Sequence, residues 1–449
     1  MRRPLLIPAA AVFLVVCHSN INNPPDPPGR PASPATGRAD SSYTFTTTAT
    51  DPDGDLVCVR FDWGDGDTSG WSDFVLNGDT VAAQHMLPAG LFAVRAQARD
   101  ASDALSDWSP PCSVAVSPWP RFPDSVVASV RVGADPVGID VLPDGSLLYV
   151  ACEDDSTVYV IDTRTFEATA VIQVSGWPAG VAALPNGDYV YVTNQDSSVY
   201  VIRTSDNSVV DEIPVGSGPW DVAAHPSGEW VYVSNYDTST VSVIRTSDNA
   251  VIATIQVGYG PMGLAVSTDG QRVYVANEMD YIVSVISTSS NTVEGTIILG
   301  EGPIDVAVLP AGDRIYVSSE EWLEGGGMDD HFAVFVAEPG GNRASDTVAV
   351  ADGEPYGVAA LPNGAYVYAL CDASEYLTVQ VISTATNRVV AFLDDYEDTG
   401  LGPYGIVCPD DSTVYIADYY KNTVTAMGLS KGGTRCLSRV HGTEMRSDR

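Results

Sequence analysis

The chain has 449 residues and is strongly acidic, with 58 Asp and Glu residues against 22 Lys and Arg residues and a formal net charge of −36. Hydrophobic residues make up 45% of the sequence, which is enough for packed cores and excludes a wholly disordered chain. The charge argues against nucleic acid as a partner, because phosphates are bound through basic patches. The length predicts two or three domains.

The N-terminus has the pattern of an export signal. Two arginines follow the first methionine, and an apolar run comes next, at 4–16. This run is too short to cross a membrane. We expect a signal peptide at 1–19 and export to the cell surface, the periplasm or the extracellular space. Two processing routes stay open: acylation of Cys17, in a sequence that resembles a lipoprotein box, or ordinary cleavage after Ser19. The Pro-rich residues 20–40 predict an extended tether.

Residues 41–117 alternate short β-rich runs with turn clusters, which predicts a small Ig-like β-sandwich. The turns at 51–55 and 63–67, together with the Ser-Asp-Trp-Ser sequence that ends at Ser109, make this segment resemble bacterial PKD or fibronectin type III-like domains. The resemblance implies a spacer or a weak adhesion module. Cys58 and Cys112 each lie beside a strand-like run, so in an exported protein they are candidates for a disulfide.

The aspartates of the first turn have two interpretations. Asp51, Asp53 and Asp55 offer the oxygen ligands that calcium prefers, but the spacing is not that of an EF-hand. The same residues are typical of Asx turns, and this interpretation is favoured. We therefore expect no cofactor, with calcium as the alternative.

After a Pro-rich linker at 118–125, one unit of about 42 residues is repeated seven times. A marker proline recurs in each copy, at intervals of 42, 41, 42, 42, 52 and 48 residues. Each copy has room for four short β-strands, so the sequence predicts an all-β protein with a seven-bladed β-propeller at 126–427. The marker prolines are Pro136, Pro178, Pro219, Pro261, Pro303, Pro355 and Pro403.

The second strand of the clearest copy ends in Tyr-Val-Thr-Asn at Asn194, with variants ending at Asn235 and Asn277. These sequences make the repeat resemble the YVTN family of β-propellers, known from surface-layer and other secreted proteins. The resemblance implies a fold more than a function. The last copy supplies only three strands, and an unassigned strand at 126–132 precedes the first copy. We predict that this N-terminal strand closes the ring in the last blade.

In the usual propeller topology, the marker turns and the loops between second and third strands share one face, here called the top face. Residues 126–427 contain 42 acidic and 9 basic residues, and we place most of the acids on this face. Carboxylates beside aromatic rings suit a metal ion, a cationic small molecule or a basic protein surface. The predicted ligand-binding residues are Trp220, Asp221, Asp305, Tyr356, Tyr404, Asp196, Asp237 and Asp280.

Two simpler interpretations stay open: acidic loops that only keep the protein soluble, and aromatic side chains that plug the channel. Catalysis has a thin basis, because His331, after the long loop at 320–330, is the one histidine beside the top face. We expect an exported or surface-anchored, non-catalytic binding or adhesion protein. A structural cell-envelope component and a lactonase- or lyase-like enzyme are the alternatives.

The expected partner is a protein or a cell-surface glycan, and contact with a membrane is expected only through a lipid anchor on Cys17. The protein is expected to be a monomer. Residues 428–449 lack the repeat pattern and are predicted to form a flexible basic tail.

Overall fold

The computed structural model describes residues 22–33, 36–38, 41–88, 90–117, 122–320, 332–350, 353–373, 376–393 and 405–429. These residues form β-strands and one 3-10 turn, at Glu278–Asp280, so the all-β prediction is confirmed. None of the helical structure in the described part is long and apolar enough to span a membrane. The chain divides into two compact units, Met1–Arg121 and Phe122–Arg449.

The first unit is a two-sheet β-sandwich. One sheet has the order β1-β6-β5-β3, with β1 and β6 parallel, and the other pairs β2 with β4. The predicted tether at 20–40 is wrong at β1, because the backbone of this segment pairs with β6. Trp63 fills the space between the sheets, with its ring 5.3 Å from that of Phe45 and 5.2 Å from that of Phe61. The strands are β1 (Thr36–Arg38), β2 (Ser41–Thr48), β3 (Val57–Asp62), β4 (Thr80–Leu87), β5 (Gly90–Asp100) and β6 (Cys112–Ser117).

The predicted disulfide between Cys58 and Cys112 is wrong, because both thiols are free and buried. Strand β5 lies between the strands that carry them, which places the two cysteines about 10 Å apart across the sheet. Cys58 pairs with Arg99 and Cys112 with Val94, so they are also offset along β5. A disulfide needs Cα atoms within about 7 Å of each other.

Two Ser-x-Trp-Ser segments are held against this sheet. The serines that flank each tryptophan accept hydrogen bonds from backbone N–H groups of β3 or β5. Trp71 contacts the guanidinium groups of Arg60 and Arg99, at 4.8 and 4.7 Å, and Trp108 contacts those of Arg60 and Arg95, at 5.2 and 4.9 Å. These alternating cation–π contacts attach the two Ser-x-Trp-Ser segments, which are not strands, to the sheet.

The second unit contains seven four-stranded sheets, the blades of the propeller. Contacts between the first strands of successive blades run around the whole ring and return from blade 7 to blade 1. The strands are β7 (Ser125–Arg131); blade 1, β8 (Pro136–Val141), β9 (Leu147–Cys152), β10 (Thr157–Asp162) and β11 (Glu167–Gln173); blade 2, β12 (Pro178–Ala183), β13 (Tyr189–Asn194), β14 (Ser198–Arg203) and β15 (Ser208–Pro214); blade 3, β16 (Pro219–Ala224), β17 (Trp230–Asn235), β18 (Thr240–Arg245) and β19 (Ala250–Gln256); blade 4, β20 (Pro261–Val266), β21 (Arg272–Asn277), β22 (Ile282–Ser287) and β23 (Thr292–Ile298); blade 5, β24 (Gly302–Val308), β25 (Ile315–Glu320), β26 (Ala333–Ala337) and β27 (Asp346–Ala349); blade 6, β28 (Glu354–Ala360), β29 (Tyr366–Ala373), β30 (Tyr376–Ser383) and β31 (Arg388–Leu393); and blade 7, β32 (Gly405–Asp410), β33 (Thr413–Asp418) and β34 (Thr423–Gly428).

The N-terminal strand β7 completes blade 7, which confirms the predicted closure. It pairs with β34 in antiparallel register, with Val130 opposite Val424 and Ala128 opposite Ala426. A strand from the start of the unit therefore covers an edge that the last blade would otherwise leave open.

The repeated tyrosine of the second strands locks neighbouring blades together. It is fully buried in six blades, and in three its hydroxyl donates to the Oδ1 of an asparagine in the next blade, at 2.7 Å. Each accepting asparagine has a positive φ in a tight turn, a conformation that Asn tolerates better than most residues. The three pairs are Tyr149 with Asn207, Tyr191 with Asn249, and Tyr316 with Asn387.

Candidate functional site

The first strand of each blade leaves one edge unpaired, facing the central channel. Just after each of the first six marker prolines, this strand has a bulge; in blade 3 the register with β17 shifts between Pro219 and Val222. The two bulge residues of blade 3, Trp220 and Asp221, lie where this register shifts, and both line the cavity described next.

Four of the predicted site residues meet in one cavity of about 200 Å³. Trp220 and Asp221 come from blade 3, Asp305 from blade 5 and Tyr356 from blade 6. The other described lining residues are Gly, Val and Ile, contributed by first strands around the ring. Among the described residues, the lining includes no Lys, Arg or His. Tyr404 lies outside the described residues.

Both cavity carboxylates bridge to the next blade. The Oδ2 of Asp221 accepts a hydrogen bond from the N–H of Leu264 at 3.0 Å, and the Oδ2 of Asp305 accepts one from the N–H of Val358 at 2.9 Å. Each carboxylate thus satisfies a backbone donor on an unpaired strand edge. Two side chains that line the cavity therefore also join neighbouring blades.

A third aspartate, Asp140 of blade 1, makes the same kind of bridge and was missed by the sequence analysis. Its Oδ2 accepts from the N–H of Ala183 in blade 2, at 2.8 Å. The three bridges thus start in blades 1, 3 and 5. The available signal was an Asp within the apolar first strand of a repeat, a position where other copies carry Ala or Val.

These aspartates are surrounded by protein and keep only part of their surface in the channel. Burial raises the pKa of Asp221 to about 7, and the nearby charge of Asp305 adds to the effect. Burial also raises the pKa of Asp140 and of Asp305 to about 6, against the hydrogen bonds that they accept. The cavity is thus a place where negative charge is poorly compensated.

The other three predicted aspartates do not line the cavity. Asp237 accepts a hydrogen bond from the Oγ of Ser217 at 3.0 Å, and Asp280 accepts one from the N–H of Tyr259 at 2.7 Å. The carboxylate of Asp196 lies beside Gly176, in the corresponding turn of its own blade. Each therefore contacts the turn before its own marker proline, which is a structural role.

A second set of polar contacts lies where the second strands end, and the sequence analysis did not identify it as a group. The Nε2 of Gln195 donates to the Oε1 of Glu153 at 3.2 Å, and the hydroxyl of Tyr236 donates to the Oε2 of Glu278 at 2.8 Å. Both contacts join adjacent blades. Their signal in the sequence is their shared position, one residue after the second strand of the repeat.

In the first unit, the contacts of Asp51 are those of an Asx turn. Its Oδ1 accepts from the N–H groups of Asp53 and Asp55, at 2.8 and 3.3 Å, while Asp53 turns towards Asn23. The Oδ2 of Asp51 is buried without a hydrogen-bond partner. Across the described ranges, no group of three or more His, Cys, Asp or Glu side chains is placed to hold a metal ion. Calcium binding at this turn stays a prediction.

Comparison with known proteins supports the architecture. A family model described as "Lactonase, 7-bladed beta-propeller" matches residues 125–251, from β7 into blade 3. The second unit is a β-propeller. The matched stretch covers less than half of the chain. No curated protein matches the chain.

Among solved structures, a chain titled "Kuenenia stuttgartiensis Hydrazine Synthase" is similar to this propeller. The two are 24% identical with a TM-score of 0.60, over 67% of this chain and 97% of the other. Identity at this level shows the fold alone. In all, 1275 chains of solved structures match, so likeness of fold does not single out one activity.

Proposed function

We propose that this is a non-catalytic binding protein whose channel cavity takes up a small cationic group, such as a primary amine. One observation carries the proposal: two carboxylates and two aromatic rings line a single cavity, and the part of its wall that the structure describes contains no basic residue. A bound cation would compensate the charges of Asp221 and Asp305 where water screens them poorly. The rings of Trp220 and Tyr356 would add cation–π attraction.

The size of the cavity supports a small group over a large ligand. At about 200 Å³ it is smaller than the 300–1,000 Å³ typical of pockets for drug-sized molecules. A cation should also shift the titration of the cavity, because a positive charge beside a carboxylate favours its ionised form. Since the pKa of Asp221 is raised to about 7, amine binding near neutral pH should release protons.

Calorimetric titration with butylammonium chloride tests this proposal. We expect saturable binding to the full-length protein, with a heat that depends on the ionisation enthalpy of the buffer. Asp221→Asn should weaken binding about tenfold, because it removes one charge and keeps an oxygen for Leu264. Asp237→Asn, in a carboxylate outside the cavity, is the matched control. An equal loss in both variants, or no saturation with the wild type, would overturn the proposal.

A lactonase-like enzyme is the second candidate, favoured by the partial family match. A panel of lactones assayed with the wild type and with an Asp221→Asn/Asp305→Asn/His331→Ala variant separates the two functions. Turnover by the wild type that the variant loses would replace the binding proposal with catalysis. Turnover that the variant keeps would indicate a contaminating enzyme.

We further propose that the protein is exported, that its propeller is of the YVTN type, and that a PKD or fibronectin type III-like first unit serves as a spacer. The signal-like N-terminus and the Tyr-Val-Thr-Asn sequences support these assignments. Mass spectrometry of the mature N-terminus distinguishes an acylated Cys17 from ordinary cleavage. A mature chain that begins at Met1 would contradict export through this signal. The proposed partner is a protein or a cell-surface glycan, and regular arrays in electron micrographs of isolated envelopes would favour the structural alternative.

A further inference from the structure

Three large side chains form an exposed patch on the top face of blade 4. Tyr259 is 65% exposed, Met279 is 58% exposed and Tyr281 is 43% exposed. They come from two loops that are in contact, since the N–H of Met279 donates to the carbonyl oxygen of Tyr259 at 3.3 Å. We call these three residues the blade-4 patch. Exposed aromatic and Met side chains are characteristic of protein interfaces.

The propeller fold does not require these side chains, as comparison with blade 3 demonstrates. Blade 3 has loops of the same length and carries Ser217, Asp237 and Ser239 at the three positions. Tyr281 has φ of 60°, in the left-handed region, and the equivalent Ser239 has φ of 56°. A large aromatic residue suits that conformation less well than Ser or Asn. The blade-4 patch is therefore a departure that local folding does not explain.

The immediate surroundings of the patch are acidic. Glu278 and Asp280 lie in the same loop, where Glu278 accepts from the hydroxyl of Tyr236 at 2.8 Å and Asp280 accepts from the N–H of Tyr259 at 2.7 Å. Neither loop, 257–261 or 277–282, contains a Lys or an Arg. An anionic lipid surface would be repelled, and so would the acidic top face of a second copy. Charge complementarity thus selects a basic partner.

We propose that the blade-4 patch docks a basic segment of a partner protein. Its Lys or Arg head groups would face Glu278 and Asp280, while their apolar stems and neighbouring aliphatic side chains cover Tyr259, Met279 and Tyr281. This surface is separate from the channel cavity. Docking at the blade-4 patch does not depend on amine binding in the cavity, and a separate experiment tests each of the two proposals.

Two fluorescent peptides serve as probes, one of alternating Lys and Leu and one of alternating Lys and Ser. They carry equal charge, so the difference between their affinities measures the apolar contribution. Anisotropy titration of the full-length wild type should show tighter binding of the Lys-Leu peptide, by about tenfold. The test variant, Tyr259→Ser/Met279→Asp/Tyr281→Ser, installs the residues that blade 3 uses at these positions.

The variant should lose the preference for the Lys-Leu peptide, with an unchanged or raised melting temperature. It adds a negative charge, so a purely electrostatic interaction predicts tighter binding and the proposal predicts weaker binding. Tyr420→Asp is the matched control: Tyr420 is an exposed residue at the position of Met279 in blade 7, and the preference should survive there. Tyr259→Ser alone repeats the test should the triple variant fold poorly.

Three results would overturn the proposal. The first is an equal affinity of the wild type for both peptides. The second is a preference that the variant keeps or that the Tyr420→Asp control also loses. The third is self-association of the wild type in sedimentation that the variant abolishes, which would identify a second copy as the occupant of the patch.

Discussion

Replacement of Asp221 by Asn removes a buried charge and keeps an oxygen that can accept the hydrogen bond from Leu264. The pKa of Asp221 is raised from 3.8 to about 7 in the folded protein, chiefly by burial. Between these values the folded state binds more protons than the unfolded state. The free energy of unfolding of the wild type therefore falls as the pH rises from about 4 to about 7, and the penalty is complete above that window.

The free-energy penalty of the Asp221 charge can be derived from the size of its pKa shift. One pKa unit corresponds to about 1.4 kcal/mol, so the fully effective penalty is about 4 kcal/mol. Because Asp221 keeps part of its surface in the channel, solvent screening reduces this figure, and we expect about 2 kcal/mol. The Asn variant should thus be more stable than the wild type at about pH 8 by about 2 kcal/mol, and nearly equal to it at about pH 4.

Urea unfolding of the propeller, measured for both proteins at the two pH values, checks this prediction. Comparison of wild type with variant cancels the titration of those carboxylates that do not interact with Asp221. Asp305→Asn should give the same pattern over a window that ends nearer pH 6, because burial raises the pKa of Asp305 to about 6. A stability difference that is the same at both pH values would refute the claim that Asp221 is buried as a charge, and so would a variant that is less stable at high pH.

Two further pairs of substitutions, each a test and its control, examine the packing between blades. Tyr191→Phe should lower the free energy of unfolding by about 1 kcal/mol, since it removes the hydrogen bond to Asn249. Tyr232→Phe should be neutral, because the Tyr232 hydroxyl has no hydrogen-bond partner among the described residues. Equal effects of the two would contradict the inter-blade lock. Gly180→Ala should cost about 1–3 kcal/mol, because its Cβ would lie 2.8 Å from the backbone of the next blade. Gly295→Ala, with nothing within 4 Å, is the control and should be neutral in the same urea titrations.

The strongest predictions from sequence were those that a repeat makes many times over. Seven marker prolines and the recurrent Tyr-Val alternation report strands and turns through local geometry, so the blade count follows from spacing alone. The closure of the ring was predictable as well. The last copy of the repeat lacks its fourth strand, and one unassigned strand precedes the first copy, so the second can supply the first. Trp220, Asp221, Asp305 and Tyr356 meet in the cavity for a related reason: equivalent positions in a repeat become neighbours around a ring.

The wrong predictions concern residues whose contacts depend on distances across the folded structure. Cys58 and Cys112 lie in β3 and β6, which β5 separates, and the order of strands within a sheet is not encoded in the flanking residues. Asp196, Asp237 and Asp280 are in top-face loops, yet they contact the turns of their own blades and do not line the cavity. The position of a loop in the repeat predicts the face of the propeller on which its residues lie. Whether a side chain reaches the channel depends on its orientation, which the repeat does not specify.

The all-β class, the seven blades, the closing strand and the acidic character of the ring follow from the amino-acid sequence, because periodicity and composition are properties of the chain. Two further features depend on tertiary packing: two acids share a cavity with two aromatic rings, and Asp140, Asp221 and Asp305 join alternate pairs of blades. It also decided that blade 4 alone presents Tyr259, Met279 and Tyr281 together as an exposed patch among the described residues. Such properties depend on which side chains meet after the ring closes, since charge, burial and exposure belong to the assembled fold.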